Sequence, residues 1–189
     1  MIWIILGVVL GGICLVLAIV FFTGISMYNG LVRLRLAVKN NWAQIDVMLK
    51  RRHDLIPNLV ETCKGYMKHE REVLENVTKY RSQAMGAKGP AEAGKAEGLL
   101  SGALNQVLVA FEKYPDLKAN ENMMQLQGEL RSTEDKIAGS RQIYNNSVMT
   151  YNTAIQSFPN NFVATTFHFE AAEFFETPEA EKEVPKVQF

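Results

Sequence analysis

The first charged side chain in this 189-residue chain is Arg33; from Ile2 to Val32 there is none. A bilayer core takes roughly 20 apolar residues as a helix, and Ile2 to Phe22 fills that length before Thr23 and Gly24. The segment is therefore read as a transmembrane helix. A cleaved secretory signal would begin with a basic region and hold only about 7–15 apolar residues. Here Met1 leads straight into Ile2, Trp3 and Ile4, and the run is too long. The first basic residues, Arg33, Arg35 and Lys39, follow the span. Cations near a span tend to stay on the cytoplasmic side, so the sequence predicts a single-pass protein with its N-terminus outside and its body in the cytoplasm. Trp3 and Tyr28 fall near the two expected interfaces, where amphipathic rings are favoured. Gly7 and Gly11 form a small-xxx-small pair that would let two spans approach closely.

Past the span, apolar residues recur at helical spacing and the sequence predicts an all-α protein. Leu31, Leu34, Val38, Trp42, Ile45 and Leu49 make one stripe, continuing the membrane helix. Gly30 is a candidate bend. Asp54 followed by Pro57 looks like an N-cap with proline in a first turn, which would end the first helix near Arg52. A second helix is expected to about Met85, then a long loop through Gly86, Gly89, Pro90, Gly94 and Gly98. A shorter helix would run through Leu100 and Phe111 to the stop at Tyr114-Pro115. The last helix carries Met123, Leu130, Ile137, Tyr144, Tyr151 and Phe158 at steps of seven, with a second seam near Leu126, Thr133, Ser140, Val148 and Ile155. Stripes of this kind bury one another in an antiparallel four-helix bundle. The expected organisation is an anchor over 1–27, a helical bundle over 28–176 and a flexible acidic tail over 177–189. Between the last helix and the tail, Phe162 to Phe169 is ambiguous. Phe167, Phe169, Phe174 and Phe175 must find cover on the bundle or on another copy.

Lys plus Arg equals Asp plus Glu at 20 each, which argues against nucleic-acid binding driven by bulk charge. Cys14 within the span and Cys63 far along the chain do not make a disulfide framework. A carboxylate-bridged metal pair would need Glu-x-x-His on two helices. The residues three before His53, His69 and His168 are Lys50, Tyr66 and Thr165. A zinc set would need clustered Cys and His, and Cys63 lies on an apolar stripe, as a core thiol does. No Gly-rich phosphate loop follows a strand. The sequence thus predicts no enzyme and no cofactor. Lys50-Arg51-Arg52-His53 is the densest basic cluster. About 28 residues of helix, ~42 Å, separate it from Phe22, far beyond a Debye length of ~8 Å. It is therefore read as helix-end charge complementing the dipole, and as a candidate partner site.

Tyr28-Asn29-Gly30-Leu31-Val32, Trp42-Ala43-Gln44-Ile45-Asp46-Val47 and Leu49 through Thr62, with Asp54-Leu55-Ile56-Pro57 inside it, resemble the signature of the LemA family. So do Tyr114-Pro115-Asp116-Leu117-Lys118-Ala119-Asn120, Leu126-Gln127 and Tyr151-Asn152-Thr153. The resemblance covers roughly residues 25 to 176. It implies a bacterial inner-membrane protein with one N-terminal span and a cytoplasmic four-helix body. Some members of the family are associated with specialised intracellular membranes, and others with membrane proteases and stress functions. The family offers no catalytic residues to carry over. The Phe-rich, acidic end departs from its pattern.

Two functions follow as expectations. The first is a non-enzymatic scaffold that sits in the lipid bilayer and forms a homo-oligomer through Gly7, Gly11, Phe167, Phe169, Phe174 and Phe175. The second is an adaptor that holds a membrane protease or membrane-shaping GTPase through Lys50, Arg51, Arg52 and His53.

Overall fold

The computed structural model describes residues 1–176. Its helices are α1 Ile2–Lys64, α2 Arg71–Gly86, α3 Gly89–Phe111, α4 Pro115–Lys118, α5 Glu121–Gln156 and α6 Asn160–Thr166. Among the described residues there is no strand, and the ambiguous stretch at Phe162 belongs to α6 and the turn after it. The tail expected over 177–189 lies outside the described residues.

The first helix does not stop at Arg52. It passes through Gly30 and through Pro57 and ends at Lys64. Proline at position 57 has no N–H to give the carbonyl of residue 53, four positions back, and an unpaired buried carbonyl is unfavourable. That carbonyl has another donor: Arg81 Nε, from α2, gives it a hydrogen bond of 2.7 Å. Ile56, Leu59, Val60 and Cys63 are buried on both sides of the proline, so packing holds the helix together past its weak point. Asp54, expected as a cap, is an exposed mid-helix residue.

The chain breaks instead at residues 65–70, where the Met67 N–H closes on the Cys63 carbonyl at 2.8 Å and its side chain is buried. The expected long loop is absent too. Only Ala87 and Lys88 link α2 to α3, and Gly89 supplies a φ of +79° before Pro90 opens the next helix. The Gly/Ala composition that reads as a loop here makes a thin helix. A Cβ on Gly94 would collide with the backbone of Glu176, 2.7 Å from its nitrogen. At the start of α5, Asn120 caps the Met123 N–H at 3.1 Å.

By their internal contacts the described residues form two units, one of Met1–Lys39 with Ser147–Ala172, the other of Asn40–Asn146 with the chain from Glu173. In the first, the apolar window of α1 has no buried residue, as a lipid-facing helix requires. Tyr28 meets the rings of Phe167 and Phe169 at 4.8 and 5.6 Å, and Arg35 lies over Phe169 at 4.8 Å. The turn after α6 places His168 at φ +53°, with Phe169 N–H bonded to the Ala164 carbonyl at 2.9 Å. This is a Schellman closure in which histidine takes the usual glycine position.

The second unit holds the apolar core. Leu59, Cys63, Met67, Val77, Leu100, Val107, Leu117 and Met123 are all buried in it. Burial pushes the Cys63 thiol up to about 11, so it behaves as a packed apolar group. The seam of α5 lies as its sevenfold spacing predicts at Met123, Ile137, Tyr144, Val148, Tyr151 and Ile155, all buried. Phe158, however, falls beyond the helix and is exposed.

Candidate interaction surfaces and the buried charge network

The basic cluster is divided by helix geometry. Lys50 and Arg51 point outward, Arg51 making a loose, exposed pair with Glu129 at 3.8 Å, which contributes little. Arg52 and His53 are 1% and 7% exposed and so have no free surface to offer a partner. As a candidate binding set the cluster reduces to Lys50 and Arg51. It also lies inside α1, not at a helix end, so the dipole reading does not apply.

Arg52 instead organises the second unit. It donates to Glu97 on α3 and to Glu134 on α5, and to Ser101 Oγ at 2.9 Å. His53 Nε2 reaches the other oxygen of Glu97 at 2.6 Å. Each Glu97 oxygen thus has its own partner, and with Arg81 on the His53 carbonyl, α1, α2, α3 and α5 meet at one place. Burial pushes the Glu97 carboxyl up. The His53 hydrogen bond, the Arg52 charge and hydrogen bond and the His53 charge together outweigh it, leaving the group below its ordinary 4.5. Cavities of about 280 and 250 Å³ approach this network, one bounded by Arg52, Ser101 and Glu134, the other by Trp42, His53 and Glu97. A carboxylate held ionised by its neighbours is a weak proton acceptor, and the chemical result is a lock between helices. Among the described residues no group of three His, Cys, Asp or Glu side chains could hold a metal.

The depressed carboxyl makes acid sensitivity predictable. A group whose folded value is lowered contributes fully above its ordinary value, and that contribution is lost as pH falls through the folded value. Melting of the protein and of Glu97→Gln, followed from about pH 7 to pH 3, should show the two curves converging below 4.5. Parallel curves would mean that Glu97 is not held ionised.

One set of positioning residues escapes a reading based on apolar periodicity. Tyr151 donates its hydroxyl to the Glu170 carbonyl at 2.8 Å, and Asn152 pairs both amide atoms with the Ala172 backbone, each at 2.9 Å. Seven residues earlier, Tyr144 does the same to Glu173 at 2.7 Å and Asn145 to Phe175 at 3.1 and 2.9 Å. Burial pushes both phenols up, Tyr144 to about 12, with Glu173 adding to the effect there; at Tyr151, Glu170 adds to it and Arg35 opposes it. Both hydroxyls therefore remain donors. The Tyr-Asn dipeptide recurring at a step of seven was the signal. It explains why Phe169 and Phe175 are buried while Phe167 and Phe174 stay exposed. Phe175 lies against Trp42, which also touches Tyr144. Of the six residues expected to mediate self-association, Phe169 and Phe175 are used within the chain. Gly7 and Gly11 are open, an added Cβ meeting nothing within 4 Å.

A groove of about 570 Å³ runs between α1 and α5 in the second unit, lined by Ala43, Gln44, Val47, Met48, Lys136, Gly139, Ser140 and Ile143. Val47 and Ile143 on its walls are 59% and 57% exposed.

Residues 41–189 match the profile of the LemA family. Protein LemA of Metamycoplasma hominis is 29% identical over 172 aligned residues, covering 89% of this chain and 77% of that protein. Magnetosome protein MamQ of Magnetospirillum gryphiswaldense is 26% identical over 184, covering 83% and 68%. Magnetosome protein MamQ 2 of Paramagnetospirillum magneticum is 26% identical over 189, covering 85% and 70%.

Proposed function

Because the chain belongs to the LemA family, with a match over residues 41–189, we propose that it is a non-enzymatic scaffold of the bacterial inner membrane that self-associates through its helical body. Its one apolar span would lead from an outside N-terminus into a cytoplasmic four-helix bundle made of the later part of α1 with α2, α3 and α5. The MamQ relatives, named as magnetosome proteins, favour a role in organising a membrane. The observation that carries the reading is the groove between α1 and α5. Apolar side chains as large as Val47 and Ile143 stand exposed there beside small ones, Ala43 and Gly139, that leave room for a partner helix. An isologous contact between two copies covers such a face in both at once. The open Gly7 and Gly11 face supports close approach of the spans in the same assembly.

The test is mass in mild detergent by light scattering over a wide concentration range. A multimer is expected, and the double variant Val47→Lys/Ile143→Lys should return it to monomer with its melting curve unchanged. Only monomer at every concentration would overturn the reading. The adaptor reading keeps one support, the exposed Lys50 and Arg51. If it holds, charge reversal at those two positions should abolish co-purification of the partner without altering stability.

A further inference from the structure

We propose that the turn between α5 and α6 makes a second contact with the bilayer, Phe158, Phe162 and Phe167 seating in the headgroup layer beside the span. The inference rests on reading Ile2–Phe22 as that span. Phe158 is 79% exposed, Phe162 65% and Phe167 56%, and the first two pack edge to face at 5.9 Å. Phenylalanines left facing solvent are unfavourable in water, and the ring contacts they make among the described residues, Phe158 with Phe162 and Phe167 with Tyr28, leave more than half of each exposed.

Their place in the first unit says what covers the rest. Tyr151 bonds to Glu170 beside Phe169, whose ring lies against Arg35, and Phe167 packs on Tyr28. Between those two points the chain completes α5, turns through Phe158 and forms α6, so it steps toward the span by about 10 Å, the seven residues of α1 from Arg35 to Tyr28. Tyr28 in turn stands six residues beyond Phe22, about 9 Å. The headgroup layer is about 5–8 Å deep on each face. The aromatic turn is thus held at the outer edge of that layer, and rings projecting from it need only a few ångström to enter.

Charge agrees with this placement. From Gln142 to Phe169 there is no Asp, Glu, Lys or Arg, just as there is none from Ile2 to Val32. The two runs belong largely to the same unit, whose membrane end is therefore formed by uncharged chain, with Tyr28, Phe158, Phe162 and Phe167 as its rings. A segment without charge approaches the bilayer without the cost that buried charge carries, and aromatic rings are favoured at the headgroup level. The contact would fix the rotation of the unit about the span, which a single helix leaves free.

The test uses the full chain in phosphatidylcholine vesicles with Trp3→Phe as parent, whose remaining indole, Trp42, sets the baseline. Phe162→Trp is added to it to report the turn, and in a separate protein Ile13→Trp reports the span. Lipids brominated near the headgroup should remove roughly half of the emission that Phe162→Trp adds, and lipids brominated at the chain ends little of it, the signature of a shallow interfacial ring. The indole of the Ile13→Trp protein should show the reverse. Emission from the turn reporter that is untouched by bromine and quenched by aqueous acrylamide overturns the proposal, while bromine quenching of the span reporter leaves the span reading intact. Loss of quenching in both proteins overturns the two together. Turn-reporter emission that follows the protein-to-lipid ratio and ignores bromine overturns the proposal in favour of a second copy covering the rings.

Discussion

Arg52→Met should lower the stability of the helical body by about 3–5 kcal/mol, the usual result of removing one partner from a buried ion pair. For a chain of this size that is a fall in Tm on the order of 10 °C, measured by circular dichroism in mild detergent. Methionine fills most of the volume of the arginine stem, so the loss reports the charge and its hydrogen bonds. Glu97 is the partner that suffers. It is 3% exposed, and without the Arg52 guanidinium its carboxylate keeps, among the described residues, only His53. Glu134, half-exposed, returns to water at little cost. A second substitution, Glu97→Gln, should therefore restore part of the loss by removing the stranded charge. Lys50→Ala, two positions away and exposed, should change stability by no more than about 0.5 kcal/mol. If Arg52→Met melts with the parent, the network does not hold the helices together.

Ile137→Asp should do more. Ile137 is 4% exposed on the seam of α5, and Arg52, the buried cation that reaches this part of α5, is already engaged by Glu97 and Glu134. Burial of an uncompensated charge belongs to the small class of substitutions that exceed about 4 kcal/mol. The expected result is loss of the cooperative transition of the body, with the apolar helix of the span still helical in detergent. Ile137→Val, which removes one methyl and adds no charge, should cost about 1 kcal/mol and serves as the control for packing. A normal melting curve for Ile137→Asp would mean that this face of α5 is not buried.

Both predictions concern one folded body, yet they stand on different ground. Ile137 was legible in the sequence because the seam repeats every seven residues, and the same periodicity placed Met123, Tyr144, Tyr151 and Val148 in the interior. Arg52 was not legible. A run of four basic residues has the composition of a solvated face, and the helix rotates two of them inward only because Glu97 waits on α3, in a stretch whose glycines and alanines suggest a loop. Pro57 misleads in the same way. Proline signals a helix start when only its own missing donor is considered, but Arg81 on α2 gives the His53 carbonyl the N–H that proline lacks. The Tyr-Asn pairs at 144–145 and 151–152 lie in plain view as a repeat, but polar residues at helical spacing carry no local sign that they will bind backbone from a segment some 20 to 30 residues on.

What the sequence determined by itself is what periodicity and local chemistry encode: an uncharged helix of membrane length, an all-helical body, the buried seam of α5 and the stop at Tyr114-Pro115. Each depends on neighbours within a turn or two, whose geometry the chain fixes before it folds. What only the tertiary structure decided is which helices end and which continue, which charges turn inward, and which phenylalanines are covered. Those outcomes depend on donors, acceptors and apolar faces brought from far along the chain, and a buried polar group is favourable only when such a partner arrives.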